Sequence, residues 1–86
     1  MFRLWVKMYD DRNVMIKDDI YTFDEEFEKE RLFDYLSDIC SKWRIETPII
    51  LSKHKYNLVE FNSIKFMKDD FVDTIDFHKL IVEYVE

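Results

Sequence analysis

Phe2, Leu4, Val6 and Met8 alternate with Arg3, Trp5, Lys7 and Tyr9, a period of two that predicts a β-strand over residues 2–9. Asp10-Asp11-Arg12-Asn13 follows as a turn, since Asp and Asn tolerate left-handed backbone and bond their own main chain. Val14 to Tyr21 predicts a second strand, less regular because Asp18 and Asp19 interrupt both faces. The two strands read as a hairpin whose turn length the pattern leaves open. Thr22-Phe23-Asp24-Glu25 then has the spacing of a capping box and predicts a helix start. The acids Asp24, Glu25, Glu26 and Glu28 suit the positive end of a helix dipole. Leu32, Phe33, Leu36, Ile39, Cys40 and Trp43 recur on one helical stripe, the strongest periodic signal in the chain. Lys42 and Arg44 suit the C-terminal end, and Thr47-Pro48 closes the helix because the residue before proline avoids helical backbone. Phe27 departs from the stripe, lying about 180° from Leu36 at 100° per residue. Either the regular helix begins after Phe27, or Phe27 faces away from the core.

Beyond the short apolar run Ile49-Ile50-Leu51, residues 53–67 fit neither period and stand between a short helix capped by Ser52 and a strand. Asp69-Asp70 reads as a turn, and Phe77 to Val85 as a closing strand, strongest at Leu80-Ile81-Val82. Strands, a helix, then a strand predict an α+β fold. A small, mainly antiparallel sheet, built from the N-terminal hairpin and the C-terminal strand, packs on one long helix in a single domain of residues 1–86.

Composition sharpens this picture. The chain has 86 residues, 48% of them hydrophobic, with eight Phe, five Tyr and two Trp. A domain this small has a thin stability margin, and large aromatics are an efficient way to fill its core. It contains no glycine. Phosphate loops, dinucleotide fingerprints, nucleophile elbows and EF-hand loops need that residue for positive φ or close backbone approach, so none is written here in its usual form. Cys40 stands alone and cannot form an intramolecular disulfide, whereas small extracellular domains commonly carry several. Met1-Phe2-Arg3-Leu4-Trp5 opens without the apolar stretch of a secretory leader, and no apolar run approaches the roughly 18 residues of a membrane span. The expectation is a cytoplasmic protein that engages no membrane.

The net charge of −6 is unevenly spread. Residues 10–38 carry eleven acids against four bases, residues 53–68 carry four lysines against Glu60, and residues 69–86 carry six acids against Lys79. An acidic chain is repelled by nucleic acid at long range, and Lys53-His54-Lys55-Tyr56 is one short basic cluster, so no nucleic-acid partner is expected. Asp69, Asp70, Asp73, Asp76 and His78 crowd one segment and could hold a hard cation, but without EF-hand spacing. Cys40, His54 and His78 lack the spacing of a zinc site. A thiol on the core stripe is expected to be inert. The chain is therefore read as non-catalytic, with no metal and no cofactor.

The sheet carries the more useful signal. With Phe2, Leu4, Val6 and Met8 facing the helix, Trp5 and Tyr9 face outward; Ile81 and Val85 do the same on the last strand. One helix covers one face. The other must be covered by residues 53–67, by a second copy, or by a partner protein. The candidate partner-binding residues are Trp5, Phe27, Ile81 and Val85, in a protein-interaction or self-associating domain, for which a homodimer is one form. Two alternatives come from other classes. One is an acidic inhibitor whose carboxylates mimic nucleic-acid phosphates over a continuous face, and the other is a small metal-dependent enzyme using the Asp69–His78 segment.

Taken together, Arg3-Leu4-Trp5-Val6-Lys7, Ile39-Cys40, Thr47-Pro48-Ile49-Ile50-Leu51-Ser52-Lys53-His54, and Asp69-Asp70-Phe71-Val72 through Asp76-Phe77 and Leu80 resemble a group of uncharacterised small acidic proteins of anaerobic Gram-positive bacteria. The resemblance spans most of the chain and rests on strand residues, a helix end and a proline stop. It implies no activity, cofactor or site.

Overall fold

The strand predicted from period two runs as β1, Phe2–Tyr9, in a computed structural model that describes residues 1–85. Its inner residues Phe2, Leu4, Val6 and Met8 are all buried, and its outer ones are not. A turn at residues 10–14 leads into β2, Met15–Phe23. Asp10 Oδ1 accepts the Arg12 and Val14 amides at 2.9 and 3.0 Å, and Asn13 takes φ 64°. The side chains of Asp and Asn thus do here what glycine does in other hairpins. Val14 belongs to the turn, and the strand extends two residues past Tyr21.

That extension overturns the capping box. Thr22 pairs with Arg3 and Phe23 with Phe2, so both are strand residues. Phe23 stacks on Phe2 with ring centroids 4.9 Å apart. A non-local aromatic contact therefore outweighs a local cap worth about 1 kcal/mol. The chain then passes through residues 24–28 and a 3₁₀ turn, Lys29–Arg31, into α1, Leu32–Trp43. The acids that signal a helix start do precede it, several residues later than the cap pattern suggests.

Within α1 the buried residues are Leu32, Tyr35, Leu36, Ile39, Cys40 and Trp43. Phe33, counted in the stripe by its spacing, is 52% exposed, and Tyr35 takes its place. The two sit about 80° to either side of the stripe's centre at 100° per residue, so period alone cannot rank them. Tyr35 wins because Phe2, Phe23 and Phe27 lie on its side, with centroids at 4.9, 5.0 and 5.8 Å. The helix ends at Arg44, ahead of Thr47-Pro48, with φ 57° and its amide on the Cys40 and Ser41 carbonyls. Left-handed backbone at a residue with a Cβ is strained. Arg44→Gly is expected to raise stability by about 0.5–1 kcal/mol, read as a higher thermal midpoint. A lower midpoint would show that the arginine side chain contributes more than the strain removes.

Residues 53–67 fit neither period because they hold two elements. These are α2, Ser52–Phe61, and β3, Ser63–Met67, separated by Asn62 at φ 59°. Ser52 is the first helical residue, not the cap; Leu51 occupies that position. After the 3₁₀ turn Lys68–Asp70, β4 spans Lys79–Val85, with Phe77 held in the core just before it. The four strands form one antiparallel sheet in the order β2-β1-β4-β3. Phe2, Leu4, Val6, Ile64, Phe66, Leu80 and Val82 from the sheet join Leu36, Ile39 and Trp43 of α1 and Leu58 of α2 in one core. Both helices therefore lie on the same face of the sheet, where the sequence pattern expected one.

Candidate functional site

Residues 53–67 do not cover the second face. β3 joins the sheet, and α2 packs on the core side through Leu58 and through His54, whose ring lies 4.7 Å from that of Phe66. The outer face remains uncovered by the described residues. Its rows follow from the strand register. Ile20, Trp5, Glu83 and Ser63 form one; Asp18, Lys7, Ile81 and Lys65 the next; Met15, Tyr9, Lys79 and Met67 the third; Thr22, Arg3 and Val85 lie at the far end.

Trp5, Ile81 and Val85 are brought together on this face as expected, each half-buried by its neighbours. Trp5 Nε1 donates to Asp18 Oδ2 at 2.9 Å, Lys7 Nζ sits 4.1 Å from the centroid of the Trp5 ring, and Lys7 pairs with Glu83 at 3.4 Å. Lys79 lies over Tyr9, 4.9 Å from its centroid, and also reaches Asn13 Oδ1. These contacts fix the two rings in place and keep them wet at the edge, which an interface anchor needs. Among the described residues the face carries Arg3, Lys7, Lys65 and Lys79 against Asp18 and Glu83, more bases than acids in a chain of net −6.

Phe27 does not join this face. It lies on the core side, half-buried, with its ring edge-on to Phe2 and Tyr84 at 5.3 and 5.4 Å. With Leu58, Val59, Asn62 and Tyr84 it lines an apolar groove of about 170 Å³. The regular helix begins after Phe27, so the first of the two readings of that residue holds.

The carboxylate segment is dispersed by its own hydrogen bonds. Asp70 Oδ2 accepts the Met67 amide at 2.9 Å, and Oδ1 faces His54 Nε2 at 3.6 Å. His78 turns instead to Asp11 at 3.5 Å, which Lys68 also meets. Among the described residues, no three His, Cys, Asp or Glu side chains are grouped as a metal ion would require. Cys40 is buried on the core stripe, and burial pushes its thiol up to about 11, against the hydrogen bond from Thr47 that lowers it. It has no thiolate character at neutral pH. Asp10 and Asp11 sit beyond Tyr9, whereas Asp24, Glu25, Glu26, Glu28, Glu30, Asp34 and Asp38 lie exposed beyond the Phe2–Phe23 end of the same strand and along α1.

His54 is the one buried ionisable histidine, and pattern reading gave no sign of it. Its Nδ1 accepts the Leu51 amide at 2.9 Å, while the Leu51 carbonyl accepts the His54 amide at 3.0 Å. The ring proton therefore sits on Nε2, toward Asp70. Burial lowers the His54 pKa from its ordinary 6.5; Asp70 opposes that and Lys53 adds to it. The folded state thus binds this proton less readily than the unfolded chain. The His54 contribution is complete above pH 6.5, is lost progressively as pH falls from there through the depressed folded value, and is constant below it. His54→Asn keeps a side-chain acceptor in α2's first turn but does not titrate. Denaturation of both proteins between about pH 5 and 8 is expected to show wild type losing stability relative to the variant on acidification. Parallel profiles would contradict the assignment.

No protein-family model, curated protein or solved structure matches the chain.

Proposed function

We propose that this chain is a non-catalytic protein-interaction domain that docks through the uncovered face of its sheet, with Trp5 at the centre and Ile81 and Val85 beside it. One observation carries the reading: both helices pack on the same face, leaving these three residues and Tyr9 on the other. Aromatic anchors held by neighbouring charges are the groups on which binding energy concentrates. The basic excess of the face favours an acidic partner surface and disfavours stacking two copies face to face, since that would oppose like charges.

Trp5→Glu places an acid at the centre of this face and removes the ring. It is expected to retain the fold, with stability lowered by about 1 kcal/mol through the lost cross-strand pairs, and to abolish partner binding. Wild-type and variant proteins immobilised side by side and exposed to the same native lysate test this. A protein held by wild type and lost from Trp5→Glu supports the face, and identical captures refute it.

A further inference from the structure

The two edges of the sheet are unequal. β3 is five residues long and has α2 beside it, but β2 is a nine-residue edge with no neighbour among the described residues. We propose that two copies of this chain join along β2, antiparallel about a two-fold axis at Ile20, to form one eight-stranded sheet. This goes beyond the outer-face reading and does not rest on it.

Hydrogen-bond direction supports the pairing. In an antiparallel pair, alternate residues direct their amide and carbonyl groups to opposite neighbours. The Ile20 amide donates to Asp19 Oδ1 at 2.9 Å, so it points away from β1. Asp18 and Thr22 follow by alternation. Their main-chain groups form a row open to a further strand.

Charge selects the register. For both copies to keep their cores on the same side of a shared sheet, facing residues must point the same way, which puts the axis on a residue. An axis on Lys17 opposes two lysines, and an axis on Asp18 or Asp19 opposes two aspartates. One on Tyr21 brings Asp18 opposite Asp24. Of the axes on residues 17–21, only the Ile20 axis is free of these conflicts. It sets Ile20 against Ile20, Asp19 against Tyr21, Asp18 against Thr22 and Lys17 against Phe23. The paired run then covers residues 17–23 and stops where the strand bulges, at the register shift opposite Met8 and Tyr9. Ile20 is 50% exposed and lies directly across from Trp5, so the join extends an apolar row from Trp5 through both isoleucines to Trp5 of the second copy.

Asp19 gives the device its control. Its carboxylate occupies the Ile20 amide in the single chain and must release it when a second strand arrives. The pairing is therefore weak and reversible, and Asp19→Ala should tighten it at least about fivefold by removing the competitor at both amides. Ile20→Pro removes an amide that β1 does not use, so the variant keeps the β1–β2 ladder but cannot pair outward.

Sedimentation equilibrium up to about 1 mM protein, together with thermal melts, tests the proposal. Expected are a monomer–dimer equilibrium for wild type, a tighter one for Asp19→Ala, and a folded monomer for Ile20→Pro. Ile20→Pro leaves Trp5, Ile81 and Val85 on the outer face and retains any outer-face partner while losing the dimer, so failure of one reading is separable from failure of the other. Monomeric wild type and Asp19→Ala throughout, or a dimeric Ile20→Pro, overturns the proposal. Should Ile20→Pro not fold, cysteine crosslinking decides. Facing residues at the axis have Cα atoms about 5.5 Å apart, within disulfide range, whereas two Thr22 positions stand about 14 Å apart. Under mild oxidation Ile20→Cys should give a linked dimer and Thr22→Cys should not; equal linkage of both overturns the register.

Discussion

Phe2→Ala is expected to remove about 3–5 kcal/mol of folding stability, among the largest losses a single truncation in this chain can produce. Phe2 is 2% exposed and meets four other rings: Phe23 and Tyr84 in stacks, Phe27 and Tyr35 edge-on. Deleting it leaves a cavity that four rigid rings, contributed by β2, β4, α1 and the segment before α1, cannot easily close. Against a total stability of about 4–13 kcal/mol for a domain of this size, much of the population would unfold if the total lies at the low end of that range. Denaturant midpoints at constant slope measure the loss. A value below about 1 kcal/mol would mean that the aromatic cluster is not assembled around Phe2.

A second large effect tests the register of α1. Leu36→Ala should cost about 2–5 kcal/mol, since Leu36 is fully buried between the helix and the sheet. Phe33→Ala removes a larger side chain only three residues away, yet should stay within about 0.5 kcal/mol, as surface substitutions do. Similar losses at both positions would place the buried stripe nearer Phe33, as its spacing alone allows. The pair is more telling than either variant, because the structure turns on which border residue of the stripe, Phe33 or Tyr35, goes inside.

The candidate interface has the same mixed origin. Its residues on β1 and β4 were legible from period two, since alternation assigns a face to each position without knowledge of its neighbours. That the face stays open was not legible. It depended on residues 53–67, whose two short elements cancel each other's periodicity and whose helix packs on the side already covered. Phe27 was singled out because it broke the stripe. The local signal was sound, but its place against Phe2 and Tyr84 depends on strands distant in sequence. The burial of His54 left no trace, because its partners Leu51 and Asp70 are chosen by how α2 sits beside the turn after β3.

Local pattern by itself determined the α+β class, β1, the existence of α1 and the centre of its buried stripe, the β4 face, and the substitution of Asp and Asn for glycine at the hairpin. Each is a matter of side-chain direction or main-chain preference over a few residues. Tertiary structure decided the rest. Thr22 became a strand residue instead of a helix cap, because stacking Phe23 on Phe2 outweighs a cap. The strand order β2-β1-β4-β3 made β2 an edge and left Trp5 on an uncovered face, because edges and faces are properties of the assembled sheet and belong to no segment of the chain.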